Sequence, residues 1–160
     1  MAAVDISFLN QNVDIVKEEG FYANYTPTET LGYGATSVVR KCTNHTTQKE
    51  YAVKIIEKTP IKEHEVRAEI YALTQLSDDP NIIGLIDAYE TENHFFLVFE
   101  LARGGELFDY LNYMITVPEK EVCKMMHQIL KVVSHMHNLR IVHRDLKVFL
   151  CLIASLKIYY

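Results

Sequence analysis

A turn that carries two glycines within three positions, Gly32 and Gly34, is the first feature of the sequence with a chemical use. Because glycine has no side chain, backbone amides beside it can approach phosphate oxygens closely. A third glycine is usual in such loops, and Ser37, which stands in its place, is small enough to keep most of that approach. A Gly-x-Gly hairpin is more often a simple turn, so this pattern alone is weak. The candidate residues are Leu31, Gly32, Tyr33, Gly34, Ala35, Thr36, Ser37, Val38 and Val39.

A lysine within an apolar strand strengthens this interpretation. Lys54 interrupts the apolar run 51–56, directly after Ala52 and Val53. An unpaired ammonium is costly to bury, so Lys54 must either reach solvent, as it would on an edge strand, or find an anion. Its spacing from the glycine turn, one strand out and one strand back, places it beneath the loop where phosphates would lie.

Glu69 is the natural partner for Lys54. It lies on the next predicted helix, on the side of Val66 and Leu73 rather than on the most polar face. An ion pair between Lys54 and Glu69 would hold the ammonium in position for a phosphate group. If the helix stood alone, Glu69 would instead be a solvated surface charge.

Two further stretches could complete a site. The apolar run 96–102 leads into Gly104 and Gly105, and a flat purine suits such a slot, with backbone groups of Glu100 and Ala102 at its edge. By itself this stretch is only a linker between domains. The cluster 143–147, His-Arg-Asp-Leu-Lys, could likewise be a charged turn, but its position after the other features makes chance a poor explanation.

The elements that must position these residues follow from apolar periodicity and turn signals. We predict strands at 25–32, 37–42, 51–56, 82–89 and 94–100, with a helix over about 60–77. Together they make an α+β unit, a five-stranded antiparallel sheet plus one helix.

Beyond residue 105 the period becomes helical, with a short helix over 106–113 and a longer one from Thr116. Thr116 and Glu119 have the spacing of a capping box, and Pro118 is tolerated in a first turn. The predicted apolar face of the longer helix is Val122, Met126, Ile129, Leu130, Val133 and Met136.

Composition excludes several function classes. The formal net charge is −5 with no basic block, which argues against a nucleic-acid partner. The three widely spaced cysteines suit neither a disulfide framework nor a zinc site. The apolar run 148–156 is too short to span a membrane, and residues 1–20 lack the features of a signal peptide. We therefore expect a cytoplasmic protein without a membrane partner.

In this order, the glycine turn, the strand lysine, the helix glutamate, the linker and the cluster 143–147 resemble the eukaryotic Ser/Thr protein kinases. The likeness runs from about residue 21 to residue 147. Stretches such as 37–42, 50–56 and 105–111 are similar to the catalytic gamma subunits of phosphorylase kinase.

This resemblance implies a kinase-like N-terminal lobe followed by the first helices of a C-terminal lobe. It implies transfer of phosphate from ATP, with Mg²⁺, to Ser or Thr of a protein substrate. In the phosphorylase kinase family the substrate is glycogen phosphorylase, in glycogen breakdown. Regulatory subunits and calmodulin are the further partners of the full-length enzyme.

The resemblance also implies a role for each candidate. The loop 32–39 would cover the phosphates, Lys54 would grip them, and Glu69 would orient Lys54. Asp145 would be the catalytic base, with Lys147 near the transferred phosphate. The nucleotide-binding residues so implied, besides the loop 31–39, are Ala52, Lys54, Glu69, Phe99, Glu100, Ala102 and Glu106.

Four of these residues would surround the base and the sugar. Phe99 would close the back of the purine slot, and Glu100 and Ala102 would frame its hinge. Glu106 would face the ribose and a basic residue of the substrate.

The sequence departs from the family after Lys147. The family pattern continues Pro-Glu-Asn, whereas this chain has Val-Phe-Leu, so Leu150 stands where an asparagine holds a metal ion. Neither Asp-Phe-Gly nor the calmodulin-binding region occurs in these 160 residues. We expect no protein metal ligands here and a truncated, catalytically incompetent kinase. The alternative is a non-catalytic nucleotide- or partner-binding module that competes with the full-length kinase.

The expected domain divisions follow. Residues 1–20 would be a flexible lead-in, and 21–102 would be the small lobe with the nucleotide loop. Residues 103–147 would hold the hinge and the start of the large lobe, and 148–160 would be a tail outside the family.

Overall fold

In the computed structural model of the chain, the described residues are 16–17, 20–103, 112–114 and 116–143. The strands are Val16–Lys17 (β1), Tyr25–Tyr33 (β2), Ser37–Asn44 (β3), Glu50–Glu57 (β4), Leu85–Glu90 (β5) and His94–Glu100 (β6). The helices are Phe21–Asn24 (α1), Pro60–Gln75 (α2) and Glu119–Asn138 (α3). Within these ranges, no helix has both the length and the apolar character needed to cross a membrane.

The chain divides into two compact units. One comprises the described residues up to Thr74 together with Leu85–Leu101. The other comprises Gln75–Gly84 together with the described residues from Ala102 onward. The first unit contains the sheet, and the second contains α3.

The strands of the first unit form one sheet in the order β1-β5-β6-β4-β3-β2. Every pair except β1 with β5 is antiparallel. β4 is an interior strand because it has hydrogen-bonded neighbours on both sides, β3 and β6. Its sequence is rich in apolar residues, as expected for a strand with little exposure.

The predicted α+β class is confirmed, but the predicted number of strands is wrong. The sixth strand, β1, pairs in parallel with the edge of β5, with Val16 opposite Ala88 and Lys17 opposite Tyr89. Two residues are too few to show the alternation by which a strand is predicted. The Lys17 ammonium lies 2.6 Å from the carboxylate of Asp87, and this hydrogen bond raises the pKa of Lys17.

An aromatic core covers one face of the sheet. Helix α1 places the fully buried Phe21 there, with its ring stacked 4.6 Å from that of Phe96 and 5.5 Å from that of Tyr25. The other buried members of this core are Cys42, Val53, Tyr89 and Val98. Burial of each large apolar side chain stabilises a fold by roughly 1.5–3 kcal/mol, so this face anchors the sheet.

Helix α2 lies against the opposite face. Successive residues of a strand point to opposite sides of the sheet. Because Val53 belongs to the aromatic core, its neighbour Lys54 points the other way, where it contacts Glu69 of α2. Val66 and Ile70 of α2 are buried.

The second unit is built on one face of α3. Met125, Val132 and Met136 recur at helical spacing and pack with Leu76 and Ile82 from the segment 75–84. Since Ile82 belongs to this cluster, β5 begins only at residue 85, three positions later than predicted from the sequence.

The apolar face predicted for α3 is partly wrong. Met136 is buried and Ile129 packs against the cluster, but Val122, Met126 and Leu130 are exposed. The apolar residues of α3 form one broad face, and the segment 75–84 covers only one side of it, so the pattern along the helix did not reveal which side is buried.

The predicted capping box of α3 does not form. The helix begins at Glu119, Pro118 occupies the N-cap position, and no side chain caps it by a hydrogen bond. Proline disfavours the helical conformation for the residue before it, so a helix that started at Thr116 would have been interrupted at Val117.

A polar contact fastens the segment 75–84 to α3. The Nδ1 atom of His135 lies 3.0 Å from Oδ2 of Asp79, and Asp79 Oδ1 accepts the backbone N–H of Asn81 at 2.9 Å. Burial alone would raise the pKa of the Asp79 carboxyl, but the hydrogen bonds from His135 and Asn81 lower it overall.

Replacement of Asp79 by alanine should therefore loosen α3 by about 1–2 kcal/mol, because the half-buried His135 and the backbone N–H of Asn81 lose their charged partner. Amide hydrogen exchange of α3 measures this, and Asp78→Ala, at an exposed neighbouring carboxylate, is the matched control. Since folding lowers the pKa of Asp79, its contribution is present above the ordinary value of 3.8 and is lost as the pH falls through the lower folded value. Equal protection in the two variants at neutral pH would contradict this account.

Candidate functional site

The glycine turn is the tip of the β2–β3 hairpin. Gly32 is paired with Val39, and the backbone N–H of Gly34 donates to the carbonyl of Ser37 at 2.8 Å, which closes the turn. Val38 and Val39 are half-buried as β3 leaves the turn. The loop residues with exposed side chains are Leu31, Tyr33, Ala35 and Thr36.

Gly34 and Ser37 form one tight feature. A methyl group at Gly34 would lie 2.6 Å from Oγ of Ser37, closer than such contacts occur in proteins. A methyl group at Gly32 would meet nothing within 4 Å. The serine that replaces the usual third glycine therefore occupies the space that Gly34 leaves open.

Lys54 lies on β4 between two paired strands, opposite Val39 of β3 and opposite Leu97 of β6. The alternative of a solvated lysine on an edge strand is therefore excluded. Because cross-strand partners share a face of the sheet, Lys54 and Val39 lie on the same side, and Val39 is in turn paired with Gly32.

The structure brings Lys54 and Glu69 together. Nζ of Lys54 lies 2.7 Å from Oε1 and 2.9 Å from Oε2 of Glu69, so both carboxylate oxygens accept from one ammonium. The two side chains are about one-third exposed, at 29% and 35%, which keeps the ammonium within reach of a further anion. Charge-assisted contacts of this kind are short and directional.

Two other candidates lie on the same face of the sheet. Ala52 is two positions before Lys54 and is paired with Phe99, which is buried. Val39, Ala52, Lys54 and Phe99 thus form a continuous strip on the side that faces α2.

The hinge candidates are placed differently. Glu100 is half-buried at the end of β6, paired with Tyr51 on the other face of the sheet. Ala102 is exposed and belongs to the second unit. Glu106, Asp145 and Lys147 lie outside the described residues.

A group of charges that holds α2 in place was missed in the sequence analysis. The guanidinium of Arg67 lies 2.9 Å from Glu63 and 2.9 Å from Glu90 of β5, and it lies over the ring of Phe95 at 6.0 Å. Burial alone would lower the pKa of Arg67, but the two carboxylates raise it overall. The i,i+4 spacing of Glu63 and Arg67 was the available signal, although it does not reveal the link to the sheet.

Among the residues that the structure describes, no group of three or more His, Cys, Asp or Glu side chains could hold a metal ion. Leu150, which stands where the family has a metal-binding asparagine, lies outside that part of the chain.

Residues 25–158 match the sequence profile of the protein kinase domain. The chain belongs to the protein kinase family. Of the residues to which the family resemblance assigns roles, Lys54 and Glu69 are in direct contact, and the glycine turn belongs to the same sheet as Lys54. The matched range continues past Lys147 into the segment 148–160, so a boundary at that point stays a prediction.

Within the protein kinase family, several individual proteins are similar in sequence to this chain. The chain is 42% identical over 153 residues to the liver/testis isoform of the phosphorylase b kinase gamma catalytic chain of Bos taurus, and equally to that of Homo sapiens. These matches cover 90% of this chain and 38% of the relatives. Ribosomal protein S6 kinase 2 beta of Xenopus laevis is 42% identical over 123 residues, 77% of this chain and 19% of that protein. The chain thus spans well under half of these relatives.

The contact between Gly34 and Ser37 gives a prediction for the loop. Gly34→Ala should lower the free energy of unfolding by about 1 kcal/mol, because either Ser37 or the turn must shift. Gly32→Ala, which adds the same methyl group in open space, is the control.

Removal of the serine hydroxyl should cancel this loss. In a double-mutant cycle by urea unfolding, Gly34→Ala combined with Ser37→Ala should show a favourable coupling of about 0.5–1 kcal/mol. Additive effects would show that the two residues are independent.

Proposed function

We propose that this chain binds ATP through the glycine loop and the Lys54–Glu69 pair, as the nucleotide-binding part of a Ser/Thr protein kinase of the phosphorylase kinase gamma type. The observation that carries the proposal is the ammonium of Lys54, held by both oxygens of Glu69 at 2.7 and 2.9 Å on an interior strand. An interior lysine fixed in this way beside a glycine turn has little structural purpose unless a second anion approaches it.

The donor set fits a polyphosphate. The Gly34 N–H is used within the turn, so the backbone N–H groups of Ala35 and Thr36 at the tip are the ones open to a phosphate, and Gly32 leaves the space beside its Cα open. Lys54 adds a fixed positive charge below. When bound, ATP supplies the phosphoryl group, and Mg²⁺ neutralises charge that develops on it.

Glu69 would act as a positioning residue. Its carboxylate keeps the long side chain of Lys54 in one conformation, so less rotamer entropy is lost when a phosphate binds. Phe99 and Ala52, on the same face of the sheet, would supply the apolar wall for the purine. For Glu100, Ala102 and Glu106 we propose the roles at the hinge and the ribose that the family resemblance implies.

The substrate class follows from family and relatives. A protein kinase phosphorylates a side-chain hydroxyl of a protein substrate, and relatives at 42% identity are named as phosphorylase b kinase catalytic chains. We therefore propose glycogen phosphorylase as the substrate of the complete kinase in the cytoplasm. The regulatory subunits of phosphorylase kinase and calmodulin would be partners of the full-length enzyme.

Catalysis by this chain itself would be impaired. Asp145 would accept the proton of the substrate hydroxyl, and Lys147 would lie near the transferred phosphate. Leu150 stands where the family has a metal-binding asparagine, and leucine offers no ligand atom. Loss of one such electrostatic group typically lowers the rate roughly 10²–10³-fold.

Titration of the purified chain with ATP, with and without Mg²⁺, tests the proposal. We expect measurable affinity that Lys54→Met lowers without abolishing it, because the variant removes the fixed charge while keeping a similar length of side chain. Transfer of radiolabel from ATP to phosphorylase b should stay near background, because Leu150 cannot hold the metal ion.

ATP binding and catalytic incompetence are separate expectations, and a different outcome would contradict each. Absence of ATP binding would refute the nucleotide site. Turnover typical of a complete kinase would refute catalytic incompetence while leaving the nucleotide site intact.

A further inference from the structure

A second lysine contacts the glycine loop. Nζ of Lys62, in the first turn of α2, donates a hydrogen bond to Oγ1 of Thr36 at the tip of the turn. Neither the motif nor the family resemblance assigns a role to Lys62. The contact lies wholly within the first unit.

The sheet register accounts for this contact. Ser37, the first residue of β3, is paired with Ile56 near the end of β4. The chain then enters α2 at Pro60, so the first turn of the helix starts close to the loop tip. Oγ1 of Thr59 accepts the backbone N–H of Lys62 at 3.3 Å, which helps to fix that turn.

The partners of Lys62 are weak compared with those of Lys54. The Lys62 ammonium donates to a neutral hydroxyl and has Glu65, which is largely exposed, at 3.8 Å. Lys54 is held by two carboxylate oxygens, both at less than 3 Å. An anion adds a Coulomb attraction to the ammonium that a neutral hydroxyl cannot supply, so Lys62 would gain from exchanging Thr36 for an anion.

The position along the loop indicates which anion. Lys54 is paired with Val39, two positions inside β3, and the family resemblance assigns such a lysine to the α- and β-phosphates. Thr36 lies at the opposite end, at the tip of the turn. A nucleotide under the loop would therefore present its terminal phosphate toward the tip.

We infer that Lys62 is a second phosphate-binding cation, which leaves Thr36 to bind the terminal phosphate of a nucleoside triphosphate. The inference rests on the proposed ATP binding and adds a residue that distinguishes triphosphate from diphosphate. Thr36 holds the side chain near its working position while the nucleotide is absent.

The test is calorimetric titration of the full chain with ATP and with ADP. Magnesium-free buffer is used so that no divalent cation shields the phosphates. Lys62→Met should weaken ATP binding roughly three- to tenfold and leave ADP binding within about twofold. Thr36→Val should weaken ATP binding less than Lys62→Met does, because the lysine keeps its charge and loses only its resting partner.

Lys49→Met is the matched control, because it removes the same charge from the turn at the other end of the β3–β4 hairpin. Eight-residue strands place it roughly 25 Å from the loop tip. It should leave the affinity for both nucleotides unchanged, and circular dichroism checks that each variant is folded.

Several results would overturn the inference. One is that Lys62→Met binds ATP as tightly as Lys49→Met does, and another is that Lys62→Met weakens ATP and ADP binding equally. Equal losses for Lys62→Met and Thr36→Val would show that Lys62 only holds the loop. If the unaltered chain bound neither nucleotide, the proposed function itself would fail, and the inference with it.

Discussion

The requirement to neutralise one lysine governs the arrangement of the first unit. Lys54 lies on a strand paired on both sides, so its ammonium cannot reach bulk water as freely as on an edge. Glu69 satisfies it with both carboxylate oxygens. This contact requires α2 to pack on the face of the sheet opposite the aromatic core, with Glu69 turned toward β4. The charges of Arg67, Glu63 and Glu90 hold the helix in that orientation.

The same arrangement brings together the elements of the proposed phosphate site. Pairing of β3 with β4 sets Lys54 beside Val39, and pairing of β2 with β3 sets Val39 beside Gly32. A fixed ammonium, a tight glycine turn and an apolar strip ending at Phe99 therefore lie on one face. The chain belongs to the protein kinase family, and the strand pairing explains how its glycine turn comes to lie near Lys54.

The features that could be predicted from the sequence depend on local pattern. Lys54 stood out because a charge interrupts an apolar strand, and Glu69 because it lies near the buried side of its helix. Strand β1 could not be predicted, since two residues carry no period. The buried face of α3 was misjudged because contacts with the segment 75–84 select it. The contact of Lys62 with Thr36 depends on the strand register and on the path of the chain between β4 and α2, which no spacing along the sequence reveals.

A double-mutant cycle between Lys54 and Glu69, read out as ATP affinity, tests the central claim most directly. If Glu69 acts only by positioning Lys54, Glu69→Gln should weaken binding in the unaltered background and have no further effect once Lys54 is methionine. The coupling should then reach about 1 kcal/mol or more. Fully additive losses would contradict the account, because they would mean that each side chain contributes to ATP binding without the other.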